Sequence, residues 1–135
     1  MALLRFATWN IGGFRERAKQ RQVVAFAQDE DIDLLFLQET NFRSPLDVAH
    51  FQRDCRVKGF FSLTPARSCR ASVVFVTGRY RHKSHCIFGP DGRTLLLDVF
   101  IDGRKYRFVN VYSLVTRSDT GNFTTVFGSG NFTTV

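Results

Sequence analysis

Asn10 and Glu39 each close a short apolar run, and both carry side chains able to do metal chemistry. A carboxylate and an amide oxygen are hard donors, the kind a hard divalent cation accepts. They can share one ion only if the chain brings them together. A strand, helix, strand crossover would do so, because its right-handed connection leaves the C-terminal ends of both strands on one edge of the sheet. Ligand and catalytic groups of layered α/β proteins collect at that edge. A plainer explanation exists for the same positions: Asn10 caps the Gly12-Gly13 turn, and Glu39 begins a solvated loop. Geometry alone leaves both open.

Other reactive side chains point nowhere so definite. His82, His85 and Cys86, taken with Cys69, raise the question of zinc, but their spacing matches no zinc-ligand pair, and an exposed basic turn accounts for them. The cationic stretch Arg79 to Lys83 reads as a wet strand or turn, and becomes a phosphate contact only if folding sets it beside Glu39. Cys55, Cys69 and Cys86 are odd in number and widely spaced, which is no disulfide framework, so reduced thiols are expected.

Periodicity and turn residues outline the elements that must position these groups. Leu3 to Asn10 reads as a strand ended by Gly12-Gly13, and Glu16 to Glu30 as an amphipathic helix whose apolar positions are Val23, Val24, Phe26 and Ala27. Ile32 to Gln38 is nearly continuously apolar, as a strand covered on both faces should be. A second helix is expected from Ser44, with Pro45 at its first position. It would bury Leu46, Ala49 and Phe51 and end before Gly59. Strands are then expected at Phe60 to Leu63, Val73 to Thr77, Tyr80 to Phe88, Thr94 to Ile101 and Tyr106 to Tyr112. Gly89-Pro-Asp-Gly92 and Asp102-Gly103 are hairpin signals, making the last three an antiparallel meander within a mixed sheet.

Composition bounds the partners. With 135 residues, 44% of them hydrophobic and 15 of them Phe, the chain has material for one packed core, which excludes a wholly disordered protein. The formal charge of +7 comes mostly from Arg, which grips phosphate oxygens in a bidentate fork, so a nucleic-acid partner is favoured over a neutral one. The start Met1-Ala-Leu-Leu-Arg5 is too short an apolar run for a signal peptide, and nothing is long enough to span a membrane. A soluble intracellular protein is expected, in nucleus or cytoplasm, with no obligate protein partner. After Leu114 the composition turns to Gly, Asn, Ser and Thr, and Gly121-Asn-Phe-Thr-Thr-Val126 recurs as residues 130–135. The expected division is a domain over 1–117 and a low-complexity tail over 118–135, outside the fold.

Thr8-Trp-Asn-Ile-Gly-Gly13 and Leu37-Gln-Glu-Thr40 resemble the two opening motifs of the endonuclease/exonuclease/phosphatase superfamily, and Asn-Val-Tyr112 is similar to its third. Trp-Asn-Ile-Gly-Gly-Phe followed by this helix resembles the endonucleases of non-LTR retrotransposons in particular. The resemblance covers roughly residues 3 to 117, about half of such a domain. It implies an α/β fold, a partial four-layer α/β sandwich with helices on one side of a mixed sheet and the second half missing. The implied reaction is Mg²⁺- or Mn²⁺-dependent hydrolysis of DNA phosphodiesters. On the same basis Glu39, helped by Asn10, would bind the metal. Asn10 would also contact the scissile phosphate or the attacking water, and Tyr112 would hydrogen-bond a phosphate oxygen. Taken alone, Tyr112 reads better as a core or interface tyrosine.

Departures from the pattern matter as well. No Asp-x-Asn pair and no terminal Asp-His pair follow Tyr112, Leu114 stands where the family has Pro, and Ala71-Ser72 replaces paired glycines. Gly130-Asn-Phe-Thr133 stands where the family reads Gly-Asp-Phe-Asn. Weak or absent hydrolysis by this chain is therefore expected, because water must be oriented or deprotonated for attack. The alternative is a non-catalytic basic remnant that binds nucleic acid. An inositol phosphate or an abasic site remains open as substrate. The absent half would be expected to carry the second sheet, leaving an apolar face of the first uncovered.

Overall fold

The computed structural model describes residues 4–63, 69–90, 92–113 and 123–129, with the backbone alone for Ser113 and for 123–129. Strand β1 (Phe6–Asn10), helix α1 (Arg17–Asp29), β2 (Leu34–Gln38), helix α2 (Pro45–Cys55), β3 (Lys58–Phe61) and β4 (Ala71–Phe75) form the first half. Their sheet has the order β1-β2-β4-β3, with β1 and β2 parallel and the other pairs antiparallel. It is the mixed sheet that the sequence predicts. Both helices lie on one face, where Val23, Val24 and Ala27 of α1 and Phe51 of α2 meet Leu35, Leu37 and Val74.

Rings dominate this helix-side core. Phe51 sits 5.1 Å from Phe14, 5.9 Å from Phe42 and 5.9 Å from Phe61, ring centre to ring centre, and is fully buried. Each such ring taken from water stabilises the fold by about 1.5–3 kcal/mol. The second helix starts as its sequence requires: Ser44 Oγ accepts from the Asp47 amide at 3.4 Å, Pro45 takes the first turn, and Arg56 stops the helix in a left-handed conformation at φ 55°. Which face it buries differs from expectation. Leu46 and Ala49 are exposed, while Val48, Phe51 and Cys55 face the core. Phe26 of α1 is likewise 55% exposed, edge-on to Trp9 at 6.1 Å, because β1 is an edge strand and among the described residues no further strand of that sheet lies beyond it.

The second half is a separate sheet rather than an extension of the first. Strands β5 (Ser84–Phe88), β6 (Thr94–Ile101), β7 (Arg104–Ser113) and β8 (Phe123–Ser129) run antiparallel in that order. The expected meander is there, and its β6 to β7 turn places Asp102 at φ 50° and Gly103 at φ 77°, the paired left-handed residues of a two-residue hairpin. The strand predicted from Tyr80 begins only at Ser84, since Arg81–Lys83 form a 3₁₀ turn. The tail, expected to stay outside the fold, contributes β8 along β7, while 114–122 and 130–135 lie outside the described residues.

This sheet covers the face of the first sheet that had been expected to stay bare. Phe6, Leu34, Phe36, Val73 and Phe75 pack against Leu95, Leu97, Val99 and Phe108 in a second core. Three layers result, helices, mixed sheet and antiparallel sheet, which is the partial α/β sandwich. The chain supplies its own second sheet because apolar residues recur at every second position of β6, with Leu95, Leu97 and Val99 turned inward, while Asp98 between them is buried against Arg107.

Candidate active site at the sheet edge

Asn10 pairs with Gln38 at the last rung of the parallel ladder, so Asn10 and Glu39 reach one edge together, as the crossover argument requires. The pairing continues into the loops: the amides of Ile11, Gly13 and Phe14 donate to the carbonyls of Gln38, Glu39 and Thr40 at 3.0, 2.7 and 2.8 Å. Glu39 sits at φ 57°, a left-handed conformation unfavourable for a side chain with a Cβ. Its own amide donates to the Arg70 carbonyl at 3.0 Å, so bonds on both sides hold the strained residue in place. Such strain, maintained by surrounding contacts, is characteristic of functional positions.

Tyr112 arrives from the other sheet. On β7 the inward positions are Phe108, Asn110 and Tyr112, and the Tyr112 hydroxyl donates to Glu39 Oε1 at 2.7 Å. Sequence placed these two residues in different motifs, and the fold makes them one unit. Burial of the phenol, then its bond to the Glu39 carboxylate, pushes the Tyr112 pKa up to about 12, with Arg70 and Arg93 pulling weakly the other way. The hydroxyl therefore stays a proton donor at any ordinary pH. The Arg70 guanidinium lies 5.7 Å from the centre of the Tyr112 ring, and the Tyr112 amide donates to the Arg93 carbonyl at 2.8 Å.

Behind this pair lies a buried polar seam. Gln38 Nε2 donates to Asn110 Oδ1 at 2.8 Å and to Thr8 Oγ1 at 2.9 Å. Asn110 Nδ2 donates to the carbonyls of Leu37 and Ser72 at 3.2 and 3.0 Å. Both amides are fully buried. Asn110 thus ties β7 to two strands of the opposite sheet, which holds Tyr112 in register with Glu39. Both amides stand in the motifs Leu37-Gln-Glu-Thr40 and Asn-Val-Tyr112, but neither had been given a role, and Arg70 had not been singled out. A signal was present for Asn110, a polar residue at an inward position between Phe108 and Tyr112, and for Gln38, which ends an otherwise apolar run. Arg70 carried none.

The donor set restricts what the site can hold. Among the described residues no three His, Cys, Asp or Glu side chains converge, so Glu39 does not belong to a ready-made cluster of metal ligands. That suits Mg²⁺ or Mn²⁺, which keep several waters and take the rest of their shell from substrate oxygens, and does not suit a structural zinc ion. Arg70 Nη1 is buried without a hydrogen-bond partner among the described residues, leaving beside Tyr112 a cationic donor that an anionic oxygen would satisfy. The remaining reactive side chains are elsewhere. Cys69 is buried against Ser62, Cys86 packs toward the inter-sheet core, and His82 and His85 are exposed. Arg79 forks onto Asp33 at 3.0 and 2.7 Å, just before β2 and so at the edge opposite Glu39, where it cannot serve the same phosphate.

No protein-family model and no curated protein sequence matches this chain. Among solved structures it is similar to the AP endonuclease LMAP from Leishmania major, with a TM-score of 0.59 and 19% identity over 81% of this chain and 40% of that one. An AP endonuclease from Archaeoglobus fulgidus follows at a TM-score of 0.48 and 19% identity, over 76% of this chain and 39% of the other. The chain thus spans about two fifths of the length of either structure. At this identity the likeness to the first establishes the fold.

Proposed function

We propose that this chain carries one half of a divalent-metal-dependent phosphodiesterase centre that acts on DNA. The observation that supports it most directly is the 2.7 Å bond from Tyr112 to Glu39, made between sheets at the strand edge where Asn10 also ends. Glu39 holds Mg²⁺ or Mn²⁺, and its orientation is set by the Tyr112 hydroxyl. The ion supplies Lewis-acid polarisation of a phosphoryl oxygen. Asn10 contacts the scissile phosphate or the attacking water, Arg70 offers donors to phosphate oxygens, and the Tyr112 hydroxyl, whose one proton goes to Glu39, reaches a phosphate oxygen only by turning away from that carboxylate. Within the class we assign the chain to retroelement endonucleases that nick DNA, on the wording of residues 8–14 and the helix that follows. The first structural neighbour is an AP endonuclease, which keeps an abasic site as the alternative substrate.

The rate in this chain is low, because among the described residues Glu39 is joined by no cluster of further acidic ligands or bases, and such a site orients water poorly. The competing function is metal-independent DNA binding by a basic remnant, favoured by the +7 charge. Mn²⁺ binding by calorimetry, run beside nicking of supercoiled plasmid in Mg²⁺ and in EDTA, separates the two. We expect weak metal binding that Glu39→Ala abolishes, and at most slow nicking that EDTA and Glu39→Ala both stop. Metal binding unchanged in Glu39→Ala would overturn the assignment. Salt-sensitive DNA binding without any metal binding would establish the remnant.

A further inference from the structure

A second basic feature lies outside the Glu39 site, in the groove between α1 and α2. There a cleft of about 280 Å³ is walled by Arg15, Arg17, His50 and Arg53, with Asp47 and Asp54 among them. Both carboxylates are already engaged. Asp54 accepts from Arg17 at 3.0 Å and from Arg21 at 3.1 and 3.0 Å, and Asp47 accepts from the Arg43 amide at 2.9 Å and faces Arg15 at 3.6 Å. They fix the guanidiniums in place rather than fill the cleft. The three guanidiniums that line the groove outnumber its two carboxylates, one of which is also shared with Arg21, and neither Arg53 nor His50 has an ion pair among the described residues.

Its position connects it to the site. The loop carrying Arg15 is bonded through the Gly13 and Phe14 amides to Glu39 and Thr40, and α2 starts from the same edge after Ser44. A polyanion with one phosphate at Glu39 therefore has a cationic path across the start of the helical layer. We propose that this cleft is a second phosphate-binding site, taking a phosphodiester of the bound DNA at a distance from the one cleaved, with Arg53 and His50 as its donors. That the anion belongs to DNA rests on the function proposed above. The Asp54 clamp occupies Arg17 and Arg21 and leaves the planar fork of Arg53 to meet two oxygens of a phosphate.

The test is a salt titration of duplex-oligonucleotide binding, read by fluorescence anisotropy in EDTA, for the wild-type chain, the double variant His50→Ala/Arg53→Ala, and Glu39→Ala. Each lost phosphate contact makes the slope of log K against log salt shallower by about 1. The double variant is expected to lose about one unit of slope and to bind severalfold more weakly at low salt, and the same loss of slope is expected when its two substitutions are added to Glu39→Ala. Arg53→Lys, which keeps the charge but not the fork, should keep the slope and recover part of the affinity. Because His50 and Arg53 are exposed, a melting curve like that of wild type is expected, and Arg53→Gln alone serves if the double variant fails to fold. An unchanged slope in a folded variant overturns the cleft while leaving the nuclease function standing. A wild-type chain that binds no DNA overturns both. Inorganic phosphate that competes at the cleft with no loss of slope in the variant would mark it as a small-anion site and overturn the DNA assignment.

Discussion

The two interior layers of this molecule are built on opposite plans. Between helices and first sheet the core is mostly apolar, centred on Phe14, Phe42, Phe51 and Phe61, with the buried Gln20 bonded to the Phe14 carbonyl at 2.7 Å. Between the sheets it begins apolar at Phe6, Phe36 and Phe108 and becomes polar toward one edge, through Gln38 and Asn110 to Glu39 and Tyr112. On β2 and β7 the change happens in step: Leu34, Phe36, Gln38 on one strand and Phe108, Asn110, Tyr112 on the other. One layer supplies cohesion without direction, and the other spends part of its interior on hydrogen bonds that hold a carboxylate in one orientation.

Substitutions can break that contrast. Phe51→Ala should have the largest effect on stability, about 3–5 kcal/mol, since it opens a cavity among three rings. Denaturant unfolding measures the loss, and whatever fraction remains folded should bind Mn²⁺ as wild type does. A weaker metal affinity in the folded fraction would mean that the two layers are not independent.

Asn110→Ala should cost less, about 1–3 kcal/mol, by removing the donor to the Leu37 and Ser72 carbonyls and one of the two acceptors of Gln38 Nε2, which keeps Thr8. Unlike the ring substitution it should also weaken Mn²⁺ binding, because Tyr112 loses the register that aims it at Glu39. Asn110→Ala with full metal affinity would reduce the polar seam to a structural role.

The smallest effect is a titration. The folded-state pKa of Tyr112, pushed up to about 12, exceeds the value of about 10 usual for an unfolded tyrosine. The native state holds that proton more tightly, so the stabilisation is complete below about pH 10 and is lost as pH rises through about 12. Phenolate absorbance of wild type minus Tyr112→Phe should therefore show a component near pH 12. A difference component near pH 10 would place Tyr112 in a wetter setting than the bond to Glu39 implies.

Much of the fold could be read directly. The Ser44-Pro45 cap, the run Leu34 to Gln38 and the Asp102-Gly103 turn are local signals, and each element stands within a few residues of its expected place. Asn10 and Glu39 could be put on one edge because a right-handed crossover is nearly obligatory. Burial was harder to read: Leu46 and Phe26 have helical spacing suited to a core yet are exposed, since spacing defines a face and not what lies against it.

Local chemistry sufficed for the two helices, for β1 to β7 within a few residues, for the parallel β1 and β2 pair and for the motif residues, because backbone preference and side-chain period act over a few residues; β8 was not legible. Tertiary packing settled that β5 to β8 form a second sheet rather than extend the first. It also decided that Tyr112 meets Glu39 and that Arg70 and Asn110 belong to the same site. Those outcomes depend on which apolar faces bury each other across long loops, a choice made by the total area removed from water and by the need to pair every buried polar group.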